Sequence, residues 1–235
     1  TPVTFHARSL LMKTEVKICG LKTAEALERA VALGASHTGF IFFPKSPRNI
    51  EPDDAGRLAD RIRGQAKIVA VTVNADNDEL DEIVSALNPD ILQLHGGESP
   101  ERLLTVKAMY GLPVMKVFSV REASDLDKID AYIGIADRFL FDAKAPVGSD
   151  LPGGNGVSFD WKLLDALDGS VDYMLSGGLN ADNIGEAMAQ TRARAIDISS
   201  GVESAPGVKD LKLMESFFNA VRQAEAGMPR SGSRT

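Results

Sequence analysis

The chain has 235 residues, of which 44% are hydrophobic and 25% charged, with a formal net charge of −7 and a single cysteine. That balance fits a soluble globular protein of one large or two small domains. It excludes an internal disulfide, shows no basic stripe of the kind nucleic-acid binders carry, and offers no apolar run near the roughly 20 residues of a membrane helix. The three histidines, His6, His37 and His95, lack metal-ligand spacing, so no metal is expected.

Residues 1–12 are read as a leader or cloning remnant, poorly ordered and outside the fold; one Arg and no long apolar core do not make a signal peptide. The first strand, Val16–Cys19, ends on the lone cysteine, with Gly20 next and a helix opening at the capping residue Thr23. Strand Thr38–Phe43 precedes the basic loop Pro44–Ile50 and a helix from Glu51. Strand Lys67–Val73 precedes a helix from Asp76, where Leu80, Ile83, Val84 and Leu87 repeat at helical spacing. Strand Ile91–Leu94 runs into His95, and Ser99-Pro100 opens the next helix. Strand Val114–Phe118 is followed by a helix near Arg121. Strand Arg138–Phe141 leads to Asp142 and a loop, Ala143–Val157, long enough to suggest a lid; a helix follows from Ser158. Strand Tyr173–Leu175 precedes Ser176-Gly177-Gly178-Leu179 and a helix from Asn180. Strand Ala195–Ile198 precedes Ser199-Ser200-Gly201 and a helix from Lys209, and residues 226–235 read as a flexible tail.

Eight strands alternating with eight helices imply a parallel sheet. At this length the economical form is a single (β/α)8 TIM barrel over residues 13–225. An open doubly wound sheet is the weaker alternative, because no Gly-x-Gly-x-x-Gly follows the first strand. Side chains alternate along a strand, and a barrel turns its apolar phase toward the helices. Val16 and Ile18 therefore face outward, and Lys17 and Cys19 inward. Phe139 and Phe141 face outward, Leu140 and Asp142 inward. Ile196 and Ile198 face outward; Ala195, Asp197 and Ser199 face inward. Lys17 and Asp197 sit on strands that meet when the barrel closes, and a buried charge is costly alone. The two either pair or meet water or substrate.

Cys19 and Asp142 both end inward phases, nearly opposite each other on a ring of eight. An acid and a base on two sides of one ligand suit an isomerase. A small buried hydrophobe and a turn-forming Asp are the plain alternatives for those segments taken singly. The turns after the seventh and eighth strands are the recurrent phosphate site of such barrels, and their glycines let backbone amides approach an anion. In the basic loop, Arg48 can grip a carboxylate with two parallel hydrogen bonds. His95 either lines the pocket or is a polar strand end.

Taken together, Lys17-Ile18-Cys19-Gly20-Leu21, Gly39 to Arg48, Gln93-Leu94-His95-Gly96, Phe141-Asp142-Ala143-Lys144, Gly153-Gly154-Asn155-Gly156 with Phe159-Asp160-Trp161, Leu175 to Leu179, and Asp197 to Glu203 resemble the phosphoribosylanthranilate isomerase family in order and spacing. Leu21 stands where many members carry Ile, and the segment at Asp142 varies among them. The resemblance implies an Amadori rearrangement without cofactor, turning N-(5-phosphoribosyl)anthranilate into 1-(2-carboxyphenylamino)-1-deoxyribulose 5-phosphate. It implies Asp142 as general acid, Cys19 as general base and Arg48 on the anthranilate carboxylate. Gly177, Gly178, Ser200 and Gly201 would hold the phosphate, helped by Gly154 and Gly156. Lys17, His95 and Asp197 are further candidates for the pocket wall. Such chemistry wants Asp142 protonated and Cys19 partly ionised, with Lys17 as a source of the depressed thiol pKa. The expected partner is a small phosphorylated substrate, with no nucleic acid and no membrane, in a monomer or homodimer; one cysteine and no secretion signal point to the cytoplasm. Indoleglycerol-phosphate synthase is a rival whose lysine and glutamate set is not evident. A metal-dependent pentose-phosphate epimerase would want more histidines, and a non-catalytic barrel would not need both Cys19 and Asp142.

Overall fold

The computed structural model describes residues 13–145, 148–191 and 193–227. Its strands are β1 (Glu15–Cys19), β2 (His37–Phe42), β3 (Lys67–Thr72), β4 (Ile91–Leu94), β5 (Val114–Val120), β6 (Arg138–Ala143), β7 (Tyr173–Leu175) and β8 (Ala195–Ile198). They pair in parallel, in chain order, and β8 closes on β1 with Lys17 opposite Asp197. The chain is therefore a single (β/α)8 TIM barrel, and the open-sheet alternative is excluded.

The alternation expected from the sequence holds on every strand where it was assigned. Val16, Ile18, Phe139, Phe141, Ile196 and Ile198 belong to the large core between strands and helices. Inside the barrel, Met115, Val117, Leu140, Met174 and Ala195 form one apolar layer, and Cys19, Val69 and Val71 another. The interior is a packed core, with polar side chains of the inner phase at both ends: Glu15, His37 and Arg138 at the strands' N-terminal ends and Cys19 and Asp142 at their C-terminal ends.

Among the described residues five connections are α-helical, α1 (Ala24–Leu33), α2 (Pro52–Ala59), α3 (Asn77–Leu87), α4 (Pro100–Tyr110) and α5 (Ile184–Thr191), and α6 (Leu211–Gly227) follows the last strand. The caps expected at Thr23 and Ser99 are in place, and α3 adds a further one. Thr23 accepts a hydrogen bond from the Ala26 amide, Asp76 and Glu79 form a reciprocal capping box, and Ser99 caps α4 ahead of Pro100.

The helices expected near Arg121 and Ser158 are instead 3-10 segments, Ala123–Tyr132 and Trp161–Ala166. Their apolar residues explain the difference. Leu126, Ile129 and Tyr132 recur every third residue, as do Trp161, Leu164 and Leu167, and all pack on the core. A three-residue turn stacks such positions on one face, whereas an α-helix would rotate them off it. The buried Asp125 carboxylate also accepts the Arg121 and Glu122 amides, which pins the tight first turn.

Two other expectations shift. Asn180 does not start a helix directly; its side chain accepts the Asp182 and Asn183 amides and α5 begins at Ile184. Lys209 starts no helix either. It lies in a short hairpin, β9 (Glu203–Ala205) with β10 (Val208–Lys209), inserted before α6. The leader expected over residues 1–12 lies outside the described residues, as does most of the tail, although Ala226 and Gly227 continue α6. Among the described residues no helix is long and apolar enough to cross a membrane.

Helices α2 and α3 meet through a glycine. A Cβ on the buried Gly56 would lie 2.4 Å from the Ala86 carbonyl oxygen. Gly56→Ala is therefore expected to destabilise the protein by about 1–3 kcal/mol through overpacking, read as a lowered urea midpoint; an unchanged midpoint would show that the two helices separate freely.

Candidate active site

The strand ends and the loops that follow them line a cleft at the C-terminal face of the barrel. Cys19, Arg48, His95, Asp142 and Asp197 line it, together with Gly153–Val157, Ser176–Leu179 and Ser199–Gly201. Every residue that the sequence nominated for the site is at this wall except Lys17, which lies beneath it.

Cys19 is the last residue of β1 and is opposite Gly39 of β2. A Cβ on Gly39 would come within 3.0 Å of Sγ, so the glycine makes room for the thiol. Below it, Lys17 is fully buried, and Nζ donates to Asp197 Oδ1 at 2.7 Å. Asp197 Oδ2 accepts a second bond from Ser176 Oγ at 3.1 Å. The open question of pairing is thus answered in favour of the ion pair, and the sealed Lys17 is corrected from wall to floor. A carboxylate and an ammonium buried this deeply persist only together.

Lys17 favours the thiolate of Cys19, but burial outweighs it. Burial pushes the Cys19 thiol up; Lys17 and Lys209 pull it down, and the Asp197 carboxylate pushes it further up. The net shift is upward in the ligand-free protein, opposite to the depression expected from the sequence.

Asp142 stands near the end of β6, 5% exposed, with Oδ1 accepting the Ala143 amide at 2.9 Å. Burial first, and then the Asp197 carboxylate, raise its pKa to about 7; the Ala143 N–H, Lys17 and Arg48 offset only part of this. The carboxyl is protonated through much of the neutral range, as acid chemistry requires. His95 Nε2 lies 3.6 Å from Asp142 Oδ2 and has no hydrogen-bond partner among the described residues. Burial lowers the imidazole pKa to about 4, so His95 meets Asp142 as a neutral ring at the cavity wall. The contact is not an ion pair at neutral pH.

Arg48 reaches the cavity over Gly20, yet one edge of its guanidinium is already taken. Nε donates to Glu203 Oε1 and Nη2 to Glu203 Oε2, each at 2.8 Å, and Nη2 also reaches the Gly154 carbonyl at 3.3 Å. Glu203 further accepts Lys209 Nζ at 2.7 Å. Sequence reasoning assigned Glu203 and Lys209 no role. The only signal was two charges of opposite sign just past the eighth strand, and nothing in their spacing shows that a hairpin folds them back onto the second loop.

The glycine turns also converge. Gly177 and Gly178 have φ of 91° and 65°, a region that side chains rarely adopt. A Cβ on Gly177 would meet the Ala143 amide nitrogen at 2.5 Å, and one on Gly178 the Val157 carbonyl carbon at 2.6 Å. The turn after β7 therefore packs directly on the end of β6 and on the loop that carries Gly154 and Gly156. Ser200 and Gly201 form a single 3-10 turn with Val202 on the same side of the cleft. Among the described residues no cluster of three or more His, Cys, Asp and Glu is arranged to hold a metal ion.

Residues 16–220 match the family described as N-(5'phosphoribosyl)anthranilate (PRA) isomerase. The chain is 84% identical over 224 residues to the N-(5'-phosphoribosyl)anthranilate isomerase of Sinorhizobium fredii, covering 95% of this chain and all of the relative. It is 81% identical over 215 residues to the same enzyme of Rhizobium meliloti, covering 92% of this chain and again the whole relative. The crystal structure of phosphoribosyl anthranilate isomerase from Thermotoga maritima superposes with a TM-score of 0.80 at 33% identity, over 89% of this chain and 99% of that one. A phosphoribosyl anthranilate isomerase in complex with reduced 1-(o-carboxyphenylamino)-1-deoxyribulose 5-phosphate superposes with a TM-score of 0.75 at 31% identity, over 89% and 99%.

The Asp142 environment has a consequence for stability. Its folded-state pKa of about 7 is above the ordinary carboxyl value, so folding favours the protonated form. The resulting stabilisation is complete below about pH 4 and is lost as pH rises through 7. Asp142→Asn, neutral at every pH, is expected to gain on the wild type between pH 5 and pH 8 by on the order of 1–4 kcal/mol. Urea unfolding at the two pH values measures the gap; a gap that does not widen would put the Asp142 pKa back in the usual range.

Proposed function

The chain belongs to the N-(5'-phosphoribosyl)anthranilate isomerase family, the isomerases of tryptophan biosynthesis, and from that premise we propose that Asp142 and Cys19 divide an Amadori rearrangement between them as general acid and general base. The observation that carries the reading is the pair of environments in one cleft: a buried carboxyl with a pKa of about 7 on β6, and a buried thiol at the end of β1.

The protonated Asp142 donates its proton to the furanose ring oxygen. The bond from C1 to that oxygen breaks, and the nitrogen lone pair forms an iminium. The Cys19 thiolate then removes the proton from C2, the electron pair of that bond neutralises the iminium, and the resulting enolamine tautomerises to the ketone. No cofactor enters the scheme. Lys17 and Lys209 favour the thiolate, and the iminium adds a third positive charge just when the base is needed. The neutral His95 beside Asp142 leaves the acid's proton in place, where an imidazolium would favour its loss.

Arg48 is assigned to the anthranilate carboxylate through the N–H groups that Glu203 leaves over. The turns at Gly177, Gly178, Ser200 and Gly201 are assigned to the phosphate, with Gly154 and Gly156 beside them. What supports this is their convergence on one end of the cleft, at the loops where barrels commonly bind phosphate. A free thiol as base suits a reducing cytoplasm. The enzyme is proposed to act as a monomer or homodimer; the Thermotoga maritima enzyme is described as dimeric, with monomers generated from it.

The proposed roles fix the activity of two variants. Cys19→Ala and Asp142→Asn are each expected to lower turnover on the order of 10²-fold or more with the fold retained, followed by the loss of anthranilate-substrate fluorescence without added metal or nucleotide. Full activity in either removes that residue from the chemistry.

The pH profile follows from the two shifts. The competent form needs a protonated Asp142 and an ionised Cys19, yet the acid titrates near 7 and the thiol above its usual range. The product of those fractions rises with pH up to the Asp142 value, stays level, and falls beyond the thiol value. A bell in kcat/KM with its lower midpoint near 7 is expected; a lower midpoint near 4 would mean that Asp142 enters the reaction as an ordinary carboxylate.

A further inference from the structure

We infer that Glu203 is a positioning residue for substrate selection: it occupies the Nε–Nη2 edge of the Arg48 guanidinium and thereby presents Nη1 to the ring carboxylate of the ligand. The inference rests on the assignment of Arg48 proposed above and deepens it.

A guanidinium carries five N–H groups arranged along two forked edges. The edge formed by Nε and Nη2 is closed by Glu203, with both bonds at 2.8 Å and both side chains almost wholly buried. Nη2 spends its second N–H on the Gly154 carbonyl at 3.3 Å, so what remains for a ligand on the far edge is Nη1. A Cβ on Gly154 would lie 2.5 Å from Nη1. Only a glycine there leaves space in front of that edge, and both Gly154 and Arg48 line the cleft.

Glu203 cannot swing away from this task. Lys209 Nζ binds its Oε1 at 2.7 Å and also donates to the Ser199 carbonyl at 3.0 Å. The Gly207 amide binds its Oε2 at 3.2 Å, and the same Gly207 packs so closely on the Pro47 carbonyl that a Cβ would stand 2.4 Å from it. The hairpin therefore clamps the loop carrying Arg48 at two points. Two cations and one anion leave the cluster with a surplus positive charge, in a chain whose formal charge is −7. A long, flexible arginine is held in one geometry before the ligand arrives, so the ligand need not bear the cost of ordering it.

Inhibition constants of two probes separate this role from a merely structural one: the reduced product analogue with its ring carboxylate, and the same molecule without it. The wild type is expected to prefer the carboxylated probe by about tenfold or more. Glu203→Gln should weaken the carboxylated probe by about tenfold or more and the other by no more than about twofold. Glu203→Gln/Lys209→Met, which restores the surplus charge of the native cluster, carries the test if the single variant does not fold, and it should show the same loss of preference. Retained preference in these variants, or equal weakening of both probes, overturns the inference while leaving Arg48 in place. Absence of preference in the wild type, or its survival in Arg48→Ala, overturns the assignment of Arg48 itself and this inference with it.

Discussion

The buried pair between Lys17 and Asp197 is the constraint from which the rest of the cleft follows. It spans the seam where β8 closes on β1, with Nζ 2.7 Å from Oδ1. Removing either partner would strand a charge inside the barrel, a penalty of about 3–5 kcal/mol. The two charges do not cancel at every neighbour. Asp142 is raised by Asp197 more than it is lowered by Lys17, and Cys19 is lowered by Lys17 but raised by burial and by Asp197. The pair thus adds to burial in holding Asp142 protonated, whereas at Cys19 it works against burial, which still prevails and leaves the thiol biased toward its protonated form.

That bias has opposite meanings for the two groups. In the proposed chemistry it prepares Asp142 to give a proton and leaves Cys19 short of being ready to take one. Burial supplies both effects, so neither can be tuned alone by changing how closed the cleft is. In the proposed mechanism a cationic intermediate resolves the conflict, because the charge that favours the thiolate arises only after the acid has acted. The resting site then spends little time with a reactive thiolate exposed to oxidation, since thiolate character governs that chemistry.

The second organising feature is the hairpin β9–β10. It brings Glu203 and Lys209 back over the mouth of the barrel, ties the loop after β2 to the loop after β8, and holds Arg48 between Glu203 and the Gly154 carbonyl. The loop after β6 meets the turn after β7 through Gly178 and Val157. Four loops from separate parts of the chain are thereby fixed relative to one another by a few side chains and close backbone contacts. The catalytic face is rigid where recognition is proposed, on loops that a barrel otherwise leaves free to vary.

The amino-acid order alone determined the number of barrel strands, the closure of the barrel and the inner phase of Lys17, Cys19, Asp142 and Asp197, but not the hairpin β9–β10. Alternation is a local property with a period of two residues, and strand-helix repetition limits the sheet to few forms. Motif order also sufficed to identify the family and to nominate the charged and several of the glycine positions of the cleft wall, but not its apolar part, Ile41, Phe43, Val71 and Val73. The 3-10 segments were legible in principle, since Leu126, Ile129 and Tyr132 repeat every third residue, but the expected alternation of strands with helices overrode that signal. Three things were decided only by tertiary structure. The direction of the Cys19 shift depends on how deeply the thiol is buried and on who shares the Lys17 charge. The neutral state of His95 depends on the closure of the walls around it. The commitment of one Arg48 edge to Glu203, 155 positions away in the chain, depends on the fold bringing the two loops together. Each of these is a sum over neighbours distant in sequence, and such sums have no period along the chain from which they could be read.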